Sequence, residues 1–180
     1  ASHTNEPNEQ MNTTTPIHPT LNKRHAVITG ASRGIGAAIA QALAHAGINL
    51  TLIGRNQEKL DELAQTLQTL TSTFVCAVDI TQASKVQASL EMAVNKLGPI
   101  DILVNNAGIA RSETPAETVT DDHWLNVIDV NLNGLFWCCR SFGRAMLKRK
   151  FGSIVNIGSM SGIIANKPQE QSYYNASKAA

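Results

Sequence analysis

His25-Ala-Val-Ile-Thr-Gly-Ala-Ser-Arg-Gly-Ile-Gly36 reads as an apolar strand that runs into a glycine-rich turn and out of it into a helix. The glycines fall at 30, 34 and 36, a Gly-x-x-x-Gly-x-Gly spacing. Residues without a Cβ allow a tight turn and a close approach of backbone to ligand. The helix that follows aims its free N–H groups back at the turn, which suits a pyrophosphate. The spacing differs from Gly-x-Gly-x-x-Gly, but the same physics applies. An ordinary strand-to-helix turn would look similar, so the rest of the chain decides.

Outward from this turn the chain alternates. The strand His25–Thr29 is followed by a helix over about Gly34–Ala46, stopped by Gly47. Next come a strand at Ile48–Ile53, a helix over about Gln57–Leu70 and a strand at Thr73–Val78. Thr81 is expected to cap a helix that runs to about Leu97, where Gly98-Pro99 breaks it before the strand Ile100–Val104. Thr120, with Asp121 and Asp122 in the first turn, opens a long helix to about Lys150. Gly152 precedes the strand Ser153–Ile157, and a loop over Ser159–Gln171 leads into a last helix. Strands alternating with helices imply an α/β fold with a parallel sheet and right-handed crossovers. No internal repeat or second domain is visible, so residues 21–180 are expected to form one dinucleotide-binding domain.

Composition narrows the function classes. At 180 residues the chain is long enough for one domain with a sizeable core. A net charge of +1 gives no reason to expect a nucleic-acid or membrane partner. No apolar run reaches the roughly 20 residues of a membrane span. Cys76, Cys138 and Cys139 form no Cys-x-x-Cys and are read as reduced thiols of a cytoplasmic protein. The histidines show no ligand spacing, so no catalytic metal is expected. Residues 1–20 are rich in Asn, Thr, Pro and Glu and have no apolar period. They are expected to be a disordered tail. They lack the apolar core of a secretory signal, and Glu6 and Glu9 with no arginine argue against a transit peptide. Met11 is a candidate native start.

Tyr174 and Lys178 in Ser-Tyr-Tyr-Asn-Ala-Ser-Lys are four residues apart, so a helix puts them on one face. A phenol is ordinarily a weak acid with a pKa of about 10. A neighbouring ammonium favours its ionised form, which suits it to exchange a proton with an alcohol near neutral pH. Tyr173 has no lysine at i+4 and is expected to pack or line the substrate cleft. The second strand ends in Ile53-Gly54-Arg55-Asn56, without the Asp or Glu that holds a ribose 2′-hydroxyl in NAD proteins. Arg55, and Arg33 inside the glycine turn, suit a 2′-phosphate, which favours NADP(H) over NAD(H). Either arginine could equally be a solvated surface charge.

With Asn-Asn-Ala-Gly at 105–108, Asp79, Asn131, Ile-Val-Asn-Ile-Gly-Ser at 154–159 and Tyr-Asn-Ala-Ser-Lys at 174–178, the chain from His25 onward resembles the short-chain dehydrogenase/reductase family. The resemblance implies a Rossmann-type doubly wound parallel sheet and hydride transfer between a nicotinamide and a carbonyl or secondary alcohol. It puts Gly30, Ser32, Arg33, Gly34, Ile35 and Gly36 against the cofactor phosphates, and Arg55 with Asn56 at the adenosine ribose. Asp79, with the backbone of Ile80, would meet the adenine amino group; Asp79 could also serve the start of the next helix. Asn106, Ala107 and Gly108 would lie along the ribose and phosphates. Tyr174 would be the acid/base and Lys178 would hold the nicotinamide ribose. Ser159, rather than Ser161, would hydrogen-bond the substrate oxygen. Asn131 would hold a water that extends a proton relay to Lys178; an amide among Val127, Val130 and Leu132 needs some partner.

Gly158-Ser-Met-Ser-Gly162, Leu135-Phe-Trp and Phe142-Gly-Arg-Ala-Met146 resemble members acting on polyols, ketoses and sugar acids. A 3-oxoacyl carrier-protein reductase shares the catalytic motifs and is the competing enzyme reading. A non-catalytic, cofactor-binding sensor or scaffold is the reading from another class. Relatives typically form tetramers, so a homo-oligomer is implied. Full family members run on beyond residue 180, so the chain is expected to be C-terminally truncated, with much of the substrate pocket outside it.

Overall fold

The computed structural model of the chain describes residues 21–110 and 114–180. The expected tail, residues 1–20, lies outside the described residues. Five strands, β1 (His25–Thr29), β2 (Asn49–Gly54), β3 (Thr73–Ala77), β4 (Ile102–Asn105) and β5 (Ser153–Asn156), form one sheet in the order β3-β2-β1-β4-β5. Every pairing is parallel. Val27 of β1 is in register with Thr51 of β2 on one side and Leu103 of β4 on the other.

Among the described residues six α-helices connect or follow the strands: α1 (Gly34–His45), α2 (Gln57–Leu67), α3 (Ala83–Leu97), α4 (Asp121–Ile128), α5 (Leu135–Arg149) and α6 (Ser172–Ala179). Alternation along β1 sends Ala26 and Ile28 to one face and Val27 to the other. The first pair meets Ala40 and Ala44 of α1 and Leu60 and Leu63 of α2. Val27 joins a second core with Val86 and Leu90 of α3 and Cys138, Phe142 and Met146 of α5. Helices thus cover both faces, which explains why β1 reads as an unbroken apolar run with all five residues buried. This is a Rossmann-type doubly wound sheet. After β3 the chain crosses back to the other side of β1, and the crevice at the carboxyl ends of β1 and β4 is where such sheets bind ligands.

Several boundaries differ from the sequence expectation. Helix α2 ends at Leu67, not Leu70; the chain turns there through Leu70 N–H and Thr71 N–H, both bonded to the Leu67 carbonyl. β4 begins at Ile102, not Ile100; Asp101, just before it, already donates its N–H to the His25 carbonyl. Thr81 does not cap α3; Gln82 holds that position. The Thr81 hydroxyl and N–H both donate to Asp79 Oδ1, at 2.8 and 3.0 Å, so Asp79 organises the turn instead. Thr120 does cap α4, accepting from His123 N. The expected long helix is continuous but not uniform: Asp129–Gly134 is a π-helical turn between α4 and α5. Such wide turns often sit at functional sites, and this one carries Asn131.

Candidate active site

One cleft of about 550 Å³ lies at the carboxyl ends of the strands. All the expected cofactor-binding residues line it except Gly36: Gly30, Ser32, Arg33, Gly34 and Ile35 from the turn, Arg55 and Asn56 after β2, Asp79 and Ile80 after β3, Asn106, Ala107 and Gly108 after β4, and Tyr174 and Lys178 from α6. Gly36 is buried beneath the turn. Val78, Lys59, Val130, Ile157 and Gly158 also line the cleft and were not singled out from sequence.

The glycine turn is held in place by β4. Thr29, the buried last residue of β1, accepts the N–H groups of Asn106 and Ala107 at its hydroxyl, each at 3.1 Å. Asn106 Nδ2 donates back to the carbonyls of Thr29 and Gly30 at 3.0 and 3.2 Å. The Asn106 amide nitrogen is therefore spent on the turn and positions it. Gly30 has φ of +66°, and a Cβ there would lie 2.8 Å from Ala107 Cα, so both conformation and space require glycine. Thr29 was the residue missed here. Its role comes from a strand 75 residues away, which no local pattern reveals.

Tyr174 and Lys178 share one face of α6, as their spacing required. Lys178 Nζ lies 6.0 Å from the centroid of the Tyr174 ring and donates to the Ile157 carbonyl at 3.0 Å. Burial pushes the Lys178 ammonium below the ordinary lysine value. Tyr173 points the other way. It is fully buried and meets the His123 ring at 4.2 Å between centroids, tilted by 48°, so it packs α6 on α4.

Asn131 is buried, and its side chain joins two segments of the site. Its Oδ1 accepts from Ile109 N at 2.8 Å, and its Nδ2 donates to the Ile109 carbonyl and to Ser177 Oγ, both at 2.9 Å. Ser177 in turn donates to the Tyr174 carbonyl at 2.8 Å. Asn131 thereby ties the loop after β4 to the helix that carries Tyr174 and Lys178. Gly108 packs beside both: a Cβ there would sit 3.3 Å from Asn131 Oδ1 and 3.6 Å from Lys178 Nζ.

Ser159 is half-buried and adjoins the cleft through its neighbour Gly158, without lining it. Its Oγ accepts from Ser161 N at 3.1 Å and opens the short turn Met160–Gly162. Ser161 is buried, which makes it the less accessible of the two serines. Gly162 seats this turn on α6, since a Cβ there would come within 2.4 Å of the Lys178 carbonyl oxygen. The cysteines stay apart from the cleft lining. Burial raises the Cys138 thiol to about 12, and Asn105 Nδ2 donates to Cys139 Sγ at 3.1 Å. Among the described residues, no group of three or more His, Cys, Asp or Glu could hold a metal ion. Among the same residues, no helix is long and apolar enough to cross a membrane.

The arrangement fits a dinucleotide. A glycine turn at a helix N-terminus, an open carboxylate edge at Asp79 Oδ2 and two cations at Arg33 and Arg55 lie along one cleft that ends at Tyr174 and Lys178. The short chain dehydrogenase family model matches residues 24–180. Galactitol 2-dehydrogenase of Rhizobium johnstonii is 44% identical over 160 residues, which are 89% of this chain and 62% of that protein. A probable NADP-dependent mannitol dehydrogenase of Yarrowia lipolytica is 37% identical, over 89% of this chain and 58% of its own length. The crystal structure of an NAD+-bound xylitol dehydrogenase superposes with a TM-score of 0.84 at 29% identity, covering 89% of this chain and 61% of that one. The chain thus spans about 60% of the length of these relatives.

Proposed function

The chain belongs to the short-chain dehydrogenase/reductase family, and from that premise we propose that it is an oxidoreductase transferring hydride between NADP(H) and a polyol, ketose or sugar acid. One observation carries the reading: Tyr174 and Lys178 line the same cleft as the glycine turn and Asn106–Gly108. A dinucleotide lying on the turn would reach Tyr174 and Lys178 with its far end.

When bound, the nicotinamide supplies or accepts the hydride. The protein's own residues bind, orient and move a proton. Gly30, Ser32, Gly34 and Ile35 offer backbone to the phosphates, with the N-terminus of α1 behind them. Asp79 Oδ2, which makes no bond among the described residues, would accept from the adenine amino group beside Ile80. In reduction Tyr174 Oη gives its proton to the substrate oxygen, and in oxidation it takes the proton back. Ser159 Oγ donates to that same oxygen, where negative charge develops. Lys178 would hold the nicotinamide ribose. Asn131 fixes α6 by its side chain and would hold the relay water beside Lys178.

The choice of NADP(H) rests on this chain's own charges. The names of the relatives point both ways, to NADP in one and NAD+ in another. Arg33 and Arg55 line the cleft, and β2 ends without a carboxylate. The polyol reading is supported by the names of the galactitol, mannitol and xylitol enzymes. A homo-oligomer in the cytoplasm completes the proposal. Leu125, Phe136 and Leu147, more than half exposed along α4 and α5, suit burial in such an assembly. Steady-state assay of wild type and Tyr174→Phe with ketoses and polyols tests the activity. Turnover that survives the substitution refutes the assignment.

A further inference from the structure

We infer that Lys59 is a third determinant of cofactor choice, forming with Arg33 and Arg55 a three-cation cradle for a phosphate monoester on the adenosine ribose. The inference rests on the reading above that the cleft takes a dinucleotide phosphorylated at that ribose. The three cations come from three separate segments: the turn before α1, the end of β2 and the first turn of α2. All three are exposed and line the same cleft.

Among the described residues none of the three has an acid partner. Among the described residues the ion pairs are Arg24–Asp101 and Arg149–Asp101, away from the cleft. Asp79 shares the lining, but its Oδ1 is committed to Thr81. Glu58 is in the first turn of α2 but does not line the cleft, and Asp61 is taken by Gln57 Nε2 at 2.9 and 3.0 Å.

The placement of Lys59 is electrostatically adverse without an anion. The start of a helix carries partial positive charge, and a cation there is disfavoured. Lys59 stands in the first turn of α2, and Arg33 precedes α1. Asn56 Oδ1 accepts from Lys59 N at 2.9 Å, which spends the Asn56 carbonyl on the cap and holds the lysine backbone at the cleft mouth. A dianionic phosphate between these groups would relieve both helix starts and all three side chains. A ribose diol would relieve none of them. Arg33 and Arg55 can grip such a phosphate as forks, while Lys59 acts as a mobile point charge.

The test measures dissociation constants of NADPH and NADH for the full-length protein and for Lys59→Gln and Lys59→Arg. Lys59 is exposed, so neither variant should disturb the fold; melting curves check this. Lys59→Gln should weaken NADPH at least about fivefold, leave NADH unchanged and flatten the salt dependence of NADPH binding. Lys59→Arg should restore most of the affinity. If wild type prefers NADPH and Lys59→Gln keeps that preference, Lys59 is no determinant while the NADP reading stands. Equal weakening of both cofactors also overturns the inference, since Lys59 would then act through α2. If wild type binds NADH as well as NADPH, the NADP reading itself falls.

Discussion

Substituting Gly36 by alanine should cost more stability than substituting Gly34, although both belong to the same turn. A Cβ on Gly36 would lie 2.3 Å from the Gly30 carbonyl oxygen and 2.5 Å from Asn106 Nδ2. Normal contact needs the carbonyl to retreat by about 1 Å. That carbonyl accepts from Asn106 Nδ2 at 3.2 Å, in the clamp that joins β1 to β4. Overpacking typically costs about 1–3 kcal/mol and a lost hydrogen bond about 1 kcal/mol. The sum is about 2–4 kcal/mol, or a fall in Tm of about 5–15 °C for a chain of this size. At Gly34 nothing lies within 4 Å of the new Cβ, and only its φ of +57° penalises alanine. That penalty is about 1–2 kcal/mol. The Gly34 methyl, however, would project into the cleft where the phosphates are expected, and should raise the cofactor dissociation constant about tenfold or more. Thermal melts and cofactor titrations of both variants separate the two effects. A Gly36→Ala protein that melts like wild type, or a Gly34→Ala protein that is the less stable of the two, would refute the packing argument.

Three other outcomes follow from the site and the core. Tyr174→Phe should keep the fold and cofactor binding but lower kcat/KM by about 10²–10⁴-fold, the usual worth of a positioned acid/base, as read by steady-state kinetics. Asn131→Leu should destabilise by about 3 kcal/mol in urea unfolding, because it orphans the Ile109 N–H and carbonyl and removes the donor to Ser177 Oγ, which keeps its own bond to the Tyr174 carbonyl. Buried His25 makes stability depend on pH. Its Nδ1 meets the Gly98 carbonyl at 2.9 Å, so Nδ1 carries the hydrogen and Nε2 accepts from the Thr51 hydroxyl. Burial lowers the His25 value below 6.5, with the Gly98 carbonyl and Asp101 pulling weakly upward. Above 6.5 folded and unfolded states are both neutral and stability is full. As pH falls below it, the unfolded chain takes a proton that the folded state refuses. Stability then drops by up to about 1.4 kcal/mol per pH unit. His25→Gln should lack that part of the slope in urea unfolding followed as the pH is lowered.

The sequence disclosed what is local. The strand and turn at His25–Gly36, the i, i+4 pairing of Tyr174 with Lys178 and the cap at Thr120 each depend on a few neighbouring residues, and each has its expected geometry. What it withheld depends on contacts between distant segments. Thr29 looks like an ordinary strand residue until β4 brings Asn106 and Ala107 to its hydroxyl. Gly162 looks like a loop glycine until α6 lies against it. The π-helical turn at Asp129–Gly134 has no periodic signature, because it is a widening inside an otherwise regular helix. Thr81 has the chemistry of a cap, but Asp79 competes for its hydroxyl and N–H and wins. Lys59 carries no signature in the sequence, because a lysine in a first helical turn is ordinarily a solvated charge. Only the folded cleft puts it in one lining with Arg33 and Arg55.

The central claim is that Tyr174 moves the proton for NADPH-linked reduction of a ketose. The direct measurement is nicotinamide absorbance on the full-length protein and its Tyr174→Phe variant, with NADPH and NADH, offering ketoses, keto-acids and an acetoacetyl thioester. The account predicts turnover of a ketose or keto-sugar acid with NADPH preferred, falling by at least about 10²-fold in Tyr174→Phe while NADPH still binds. Turnover unchanged by the substitution, turnover of the thioester alone, or binding of NADPH without any turnover would contradict it.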